Sequence, residues 1–502
     1  MPDTVVIAGA GPTGTWMACE LRLAGVPTVV LEQDPDISPH SRALTVHPRT
    51  IETFALRGAQ HRMLAEGGQL PSGHFAILDE RLDFTTLDTD FQFTLTLPQA
   101  RTTELLRERA VALGADMRSG HRFVTFAEDD AGLTVTAEGP DGEYTLRADY
   151  LVGCDGTRSA VRESAGIDFD GTPSTALGAL GDVRLSEPPD GPVISEWSLD
   201  GTFMCVAMPG DLYRFAVHSP EDVRTDWPDD FTLDELRTRV RRVCGTDFGM
   251  HSPSWLSRYG NTSRIAREYR KGRVLVVGDA AHQHMPAGGV GLNVGVQDAM
   301  NLGWKLAATC NGWAPETLLD TYHAERHPVG ETLLEQSQAQ TALFMDFTLQ
   351  GQELRSFLAR VIAERPQFKE ALTERLSGLH VEYPPTDPAH PLIGLRAPNL
   401  RFADGHELFA LFDRGEYVLV DFGRVKGFDA RDLDLGDATG RIRRFRPTTA
   451  SAEHRVRWAD VGAALIRPDG YVAWASDEHE GEALARELRT ATDAIHRAAA
   501  MS

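Results

Sequence analysis

Apolar residues along this chain fall into runs of different period, and the changes of period mark its elements. Val5 to Ala8 is a short uninterrupted apolar run, the pattern of a strand buried on both faces. Glycines 9, 11 and 14 follow at G-x-G-x-x-G spacing, and the stripe Gly14, Met17, Ala18, Leu21 then reads as a helix. Gly25 and Pro27 end that helix, and a second apolar run, Thr28 to Leu31, stops at the acid Glu32. Strand, tight turn, helix, strand and acid is the order of a dinucleotide-binding unit of Rossmann type. Gly9 permits the sharp turn, Gly11 lets a pyrophosphate approach the backbone, and Gly14 lets the helix pack closely on the sheet. The helix N-terminus, with Pro12 and Thr13 in its first turn, presents free N–H groups to the phosphates. Glu32, with Gln33 beside it, is placed to accept hydrogen bonds from an adenosine ribose.

Beyond Glu32 the prolines at 35, 39 and 48 make a loop that contains Arg42, placed to lie over the anionic or adenine part of the dinucleotide or simply solvated. Residues 70–98 alternate apolar and polar positions at period two and read as strands, with Phe84, Phe91 and Phe93 facing a pocket or forming sheet core. A helix over Thr102 to Leu113 and a hairpin turning at Gly139–Gly142 lead to a strand that ends at Cys154-Asp155-Gly156, with Ser159 and Arg162 on the next helix. Residues from about 177 to 263 are again strand-rich and carry Trp197, Phe203, Met204, Tyr213 and Phe215. They read as a second excursion into the sheet begun at 70–97. Val274 to Val277 is another buried strand, ending at Gly278-Asp279. A glycine-rich loop, Pro286 to Gly291, then opens a helix with Leu292, Val296, Ala299, Gly303 and Leu306 on one face. One long helical region is expected from Gly330 towards Leu379, and five prolines between Tyr383 and Pro398 read as a linker. The remainder reads as a small α/β module: a strand at Tyr417 to Phe422, a strand pair about the Pro468-Asp469-Gly470 turn, and a helix striped by Leu484, Leu488, Ala491 and Ile495.

The boundaries that follow are 1–69, 98–176 and 264–382 for the dinucleotide-binding domain, 70–97 and 177–263 for an inserted β-sheet (α+β) middle domain, 383–398 for the linker and 399–502 for the last module. The net charge of −23 argues against nucleic acid or an anionic membrane as partner, since both call for basic surfaces. No apolar run approaches the roughly 18 residues of a membrane span, and no basic segment precedes an apolar one at the start. The five cysteines, at 19, 154, 205, 244 and 310, have neither paired nor C-x-x-C spacing, which points to reduced thiols and a cytoplasmic setting. His282 and His284 lie near Asp279, but a catalytic zinc site needs three protein ligands in suitable geometry, and no metal is expected.

Three stretches coincide: GAGPTG with Glu32, GCDGTRSAVR at 153–162 and GDAAHQHMPAGGVGLN at 278–293. Together they resemble the FAD-dependent aromatic hydroxylases, the single-component flavoprotein monooxygenases. PQARTTELL at 98–106 and SRALTVHPRTIE at 41–52 are similar to the members that tailor bacterial aromatic polyketides of tetracycline and angucycline type. The resemblance covers nearly the whole chain. It implies that Asp279 takes hydrogen bonds from the ribityl hydroxyls, that Gln99 bonds the flavin, and that Pro286 sits beside the reactive flavin carbon. It also implies that Gly289, Gly291, Leu292 and Asn293 present backbone N–H groups and a helix N-terminus to the pyrimidine edge of the ring, stabilising the charge of its reduced form. Asp155 lies where flavin and nicotinamide cofactors both pass, and a structural turn is the alternative.

The implied reaction has NADPH reduce FAD and dioxygen add to the reduced ring; the flavin hydroperoxide then hydroxylates an electron-rich carbon. With no second G-x-G-x-x-G unit for NADPH, the flavin is expected to swing between reduction and oxygenation positions. No side chain is assigned as a general base. The implied substrate is a small-molecule polycyclic aromatic polyketide, received by Phe84, Phe93, Phe203 and Phe215. Two alternatives stand beside this reading: a Baeyer–Villiger oxygenase acting on a polyketide ketone, and an FAD reductase or binding protein without oxygenase activity. The last module resembles a thioredoxin-like domain, yet the chain has no cysteine after Cys310, so dithiol exchange is excluded. Monomer and homo-oligomer both remain open.

Overall fold

The computed structural model describes residues 4–228, 230–385, 390–433, 441–447, 456–478 and 480–497. The buried apolar runs form its largest sheet. Val5–Ala8 lies between Thr28–Glu32 and Tyr150–Gly153, flanked by Asp116–Ser119 on one side and Val274–Val276 on the other, all parallel. Arg270–Lys271 adds an antiparallel edge. Alternate residues of a strand serve opposite faces. Val5 and Ile7 pack towards the helices Pro12–Leu23 and Gly291–Cys310. Val6 and Ala8 pack under the antiparallel strands Arg122–Asp129, Gly132–Gly139 and Gly142–Ala148. The two helices approach closely because small residues meet there: a Cβ at Gly303 would stand 2.6 Å from the Glu20 Cβ, and one at Gly295 2.6 Å from Thr13 Oγ1.

The second large sheet is antiparallel, in the order Val193–Ser198, Gly201–Met208, Leu212–His218, Leu177–Leu185, Met250–Gly260. Its outer face, with Ala179, Val183, Phe203, Cys205, Phe215 and Val217, is sealed by helix Leu233–Cys244. Residues 70–97 do not extend this sheet, contrary to the expectation from their alternation. Thr94–Thr96 pairs with Thr45–Val46 on one side and with Gly68–Leu70 on the other, and Ser72–His74 pairs with Arg81–Asp83. The alternating pattern is cut short where the Asp83 carboxylate accepts from Thr85 N at 2.9 Å and turns Phe84–Thr86 into a single helical turn.

The helical region after residue 320 is three helices rather than one: Asp320–Met345, Leu349–Glu364 and Pro366–Ser377. Thr348 caps the second through Gly351 N, and Pro366 opens the third. The last four strands are ordered Ile442–Phe445, Tyr417–Asp421, Ala463–Ile466, Val472–Ser476; the first two are parallel and the others antiparallel. Helix Gly481–Arg497 follows and buries Leu484 and Leu488; the side chains of Ala491 and Ile495 lie outside the described residues, as do residues 386–389 of the linker. One apolar core runs without interruption from Met17, Phe54 and Val296 to Phe412, Val420 and Ile466. The flanks of the linker are packed as well: Tyr383 and Ala397 are buried, and the Tyr383 ring lies 4.1 Å from that of Tyr471. Among the described residues no helix is long and apolar enough to cross a membrane.

Candidate active site

The three glycine-rich stretches meet at one place. Gly9 turns at φ +98°, and a Cβ there would stand 2.3 Å from Cys154 O, so the first loop touches the second stretch through backbone alone. Arg162 joins the second to the third by donating to Ala280 O at 2.9 Å. The Glu32 carboxylate accepts from Ala10 N at 2.8 Å and from Asp34 N at 3.0 Å. An ionised carboxylate has further lone pairs free for ribose hydroxyls. Helix Pro12–Leu23 has neither a side-chain cap nor an acid in its first turn, and helix Gly291–Cys310 is equally bare. Two uncapped N-termini on neighbouring helices are donors for anionic and electron-rich groups.

Asp279 is exposed, and its carboxylate bonds none of the described residues. Its Oδ1 lies 3.8 Å from where a Cβ of Gly291 would be, at the mouth of the second helix. Pro286, Gln33 and Arg42 are exposed. Gln99 pins the Arg42 loop, accepting from Ala43 N at 3.1 Å and donating its own backbone N–H to Ala43 O at 3.0 Å. Asp155 has a structural duty: its Oδ2 accepts from Val161 N at 3.1 Å in the first turn of helix Ala160–Ser164, whose N-cap is Ser159, while Oδ1 is buried without a donor and burial raises its pKa. Thr13 lies against Gly278 and Gly289 against Thr45, while a Cβ at Gly11 would meet nothing within 4 Å. Open space at Gly11, uncapped helix N–H groups and the carboxylates of Glu32 and Asp279 are groups a dinucleotide can use.

His282 and Asp298 serve the frame. His282 donates to Asp298 Oδ2 at 2.8 Å, and Arg326 to Oδ1 at 2.6 Å. Among the described residues no group of His, Cys, Asp and Glu is arranged to hold a metal ion.

His47, which the sequence pattern did not single out, holds the glycine loop in place. Its backbone N–H donates to Asn293 Oδ1 at 2.7 Å, and Asn293 Nδ2 donates to Thr45 O at 3.0 Å and Gly289 O at 2.9 Å. The His47 ring bonds Gly288 O through Nε2 at 2.8 Å and Thr94 Oγ1 through Nδ1 at 2.9 Å. A carbonyl only accepts, so Nε2 carries the proton and Nδ1 accepts from the threonine. Burial lowers the pKa of His47 from 6.5 to about 4, although the Gly288 carbonyl opposes the shift. Because the folded value lies below the unfolded one, this contribution to stability is complete above pH 6.5 and is lost as pH falls towards 4, at about 1.4 kcal/mol per pH unit. The thermal midpoint of the holoprotein is therefore expected to drop across that window, and His47→Gln to flatten part of the drop. Identical slopes in the two proteins would show that His47 does not titrate this way.

The candidate substrate residues divide. Phe84 is fully buried, edge-on to the His47 ring at 6.5 Å, and so borders the glycine loop. Phe93 is half-buried and packs edge-on against Phe91 at 6.4 Å, alongside the main core. Phe203 and Phe215 do not reach the site. They lie 6.0 Å apart in the core beneath helix Leu233–Cys244, because their strand positions point outward. The inner face of that sheet carries Leu180, Asp182, Ser195, Trp197, Met204, Arg214, Ala216, His218, Trp255 and Tyr259 instead. Its contacts reach across to the flavin half: Trp197 Nε1 donates to Phe344 O at 3.3 Å, and the Trp255 ring stacks on His40 at 5.3 Å. Met204, Ala216 and Leu180, in mid-sheet, are only half-buried. Arg214 is held by Asp182 through two bonds of 2.7 and 2.6 Å, and its remaining Nη1 is buried without an acceptor.

A parallel sheet with two bare helix termini and an acid at the end of its second strand, beside an antiparallel sheet, is the arrangement of a flavoprotein of the aromatic-hydroxylase class. Comparison with known proteins agrees. Residues 3–337 match the FAD binding domain family, and residues 390–496 match the aromatic-ring hydroxylase C-terminal family. The chain belongs to the FAD-dependent aromatic-ring hydroxylases. It is 43% identical over 487 residues to an aromatic compound monooxygenase of Bacillus subtilis, itself uncharacterized, covering 95% of each chain. It is 40% identical over 506 residues to the 12-dehydrotetracycline 5-monooxygenase/anhydrotetracycline 6-monooxygenase of Streptomyces rimosus, covering 97% of this chain and 98% of that one. The solved structure of anhydrotetracycline hydroxylase from Streptomyces rimosus matches with a TM-score of 0.85 at 40% identity, covering 95% of this chain and 96% of that one.

Proposed function

We propose that this protein is an NADPH-consuming monooxygenase that hydroxylates a polycyclic aromatic polyketide. Bound FAD supplies the oxygen-activating chemistry; the chain binds, orients and shields. The observation that carries the substrate class is the inner face of the five-stranded sheet. Trp197 and Trp255 stand on its two edge strands, which neighbouring-strand spacing puts about 19 Å apart. Half-buried Met204, Ala216 and Leu180 lie between them, with Arg214 Nη1, a donor without an acceptor among the described residues, beside them. A broad, flat, mostly apolar surface with sparse polar points suits fused rings better than a small benzoate. The substrate residues we favour are thus Phe84, Phe93 and this inner face, with Gly9, Gly11, Gly14, Glu32, Asp279 and the 286–293 loop holding FAD.

The domain division read from the sequence is kept as part of this proposal except at 70–97, whose strands do not join the sheet of 177–263, with residues 399–502 as a thioredoxin-like unit. The strand order second-first-third-fourth and the terminal helix support that plan, and the lack of cysteine beyond Cys310 makes its role packing. The test is NADPH and dioxygen consumption with anhydrotetracycline, an angular polyketide phenol and 4-hydroxybenzoate, using isotopically labelled dioxygen. Label in a ring hydroxyl of a polyketide product is the expected result. Label in an ester would make it a Baeyer–Villiger enzyme, and no consumption a non-oxygenase. Tight coupling with 4-hydroxybenzoate alone would overturn the polyketide assignment.

A further inference from the structure

A short hairpin, Ser72–His74 paired with Arg81–Asp83, borders the space beneath the five-stranded sheet. Its two faces are distinguishable. A Cβ at Gly73 would stand 2.6 Å from Leu376 Cδ2 and 3.0 Å from Phe84 Cζ, so that residue faces the helical side. His74, next in the strand, therefore faces the other way, as does Arg81 directly opposite it. Arg81 donates to Ser195 Oγ at 3.1 Å, on the inner face of the sheet, which fixes the direction of this face.

The tip of the hairpin is strained. Ala76 and Ile77 stand at φ +49° and +54°, a conformation that a β-branched residue rarely adopts. It persists because Arg355 donates to Ala76 O at 2.9 Å and to Ile77 O at 2.6 Å, while Gln340 Oε1 accepts from Ala76 N at 3.1 Å. Such strain is kept where neighbours over-determine it, and it collects at functional sites. Here its effect is specific: the turn aims Ile77 N–H at His74 Nδ1, 3.1 Å away. An amide N–H can only donate, so Nδ1 is the bare nitrogen and Nε2 carries the proton. Burial, with Arg81, His47 and Arg355 all facing the ring, lowers its pKa to about 4 and keeps it neutral at working pH. Nε2–H has no acceptor among the described residues.

We propose that His74 is a specificity-determining residue whose Nε2–H donates to an oxygen of the substrate, a carbonyl or phenolic oxygen of the fused-ring system. The assignment rests on the substrate class proposed above. The strained turn fixes the tautomer, and the tautomer makes this edge of the pocket a donor.

Two variants separate the donor from the turn. His74→Asn keeps an oxygen near the Nδ1 position for Ile77 N–H but has no donor at the far end. His74→Gln keeps an N–H near the Nε2 position and gives up the Ile77 contact. Anhydrotetracycline is titrated into oxidised holoenzyme and followed by the perturbation of flavin absorbance. Loss of one buried donor is expected to raise Kd about tenfold or more in His74→Asn, and His74→Gln to stay within about threefold of the wild type. FAD content is expected to be unchanged in both. A merely structural role would favour Asn, which preserves the turn, over Gln. Equal affinity in both variants, or tighter binding by His74→Asn than by His74→Gln, would overturn the assignment while leaving the substrate class in place. A wild-type holoenzyme that bound neither anhydrotetracycline nor an angular polyketide phenol would overturn both.

Discussion

Gly14→Val is expected to give no folded flavoprotein, and Gly11→Val a folded but colourless one. The sequence motif treats the two glycines alike, but their surroundings differ. A Cβ at Gly14 would stand 2.0 Å from Gly9 O and 3.0 Å from the Cys154 Cβ. The obstacle is backbone inside the central turn, which cannot swing aside, so helix Pro12–Leu23 must lift from the sheet that it covers. Overpacking a core costs about 1–3 kcal/mol when side chains can adjust, and more when they cannot. A Cβ at Gly11 meets nothing within 4 Å. The fold is indifferent to that substitution, while the valine occupies the space through which a pyrophosphate approaches the bare helix N-terminus. Flavin absorbance per protein and the thermal midpoint, measured together, separate the two outcomes. Gly11→Val with a normal flavin content would remove this loop from the cofactor site. Gly14→Val with a normal midpoint would show that the helix–sheet contact is looser than the geometry requires.

Arg57→Ala is expected to cost about 3–5 kcal/mol, the penalty for leaving a buried partner charge unpaired. The Arg57 side chain is fully buried and Glu20 nearly so. Its guanidinium donates to both Glu20 oxygens, at 3.0 and 2.7 Å, and to two carbonyls of the last module, Phe412 O at 2.9 Å and Pro468 O at 3.0 Å. One side chain thus closes the ion pair behind the first helix and clasps the turn at 468–470. Neighbouring Arg49 adds a bond to Asp469 O at 2.9 Å. Denaturant unfolding of the purified variant measures the loss. The double variant Glu20→Gln/Arg57→Met is expected to recover part of it, because the stranded charge is gone. A loss below about 1 kcal/mol, the scale of an exposed pair, would mean that the pair is solvated in solution.

The elements that carry the proposed cofactor site are legible because their logic is local. Gly9 to Glu32 forms a strand, turn, helix and strand within one stretch, each element setting the conformation of the next. The Pro286–Asn293 loop announces itself by glycines at a helix start. His47 was missed because nothing near it in sequence explains it: its partner Asn293 is 246 positions away, and only the tertiary fold joins them. The signal available was modest, a histidine just before Pro48 at the first position of a helix. Phe203 and Phe215 were misplaced for a different reason. Period-two alternation shows which residues share a face, but it does not say whether that face meets a helix or a ligand. Asp182 and Arg214, charged residues at alternate positions of the same sheet, mark its other face, since a buried ion pair needs a reason to be there. Residues 70–97 alternate too, but a single aspartate side chain, Asp83, ends the strand that the pattern would have continued.

The two faces of the five-stranded sheet carry different loads. Phe203, Phe215 and their outward neighbours carry the folding of that unit beneath helix Leu233–Cys244. Ser195, Met204, Ala216 and Ser257, on the inward positions of the same strands, are outside every buried apolar cluster. Changes there are expected to cost less stability than changes on the outward face, so that, on the proposed function, the inward face is free to vary without compensating mutations in the core. Directed evolution restricted to those four inward positions should retain a higher fraction of soluble variants than an equal library at Phe203, Cys205, Phe215 and Val217.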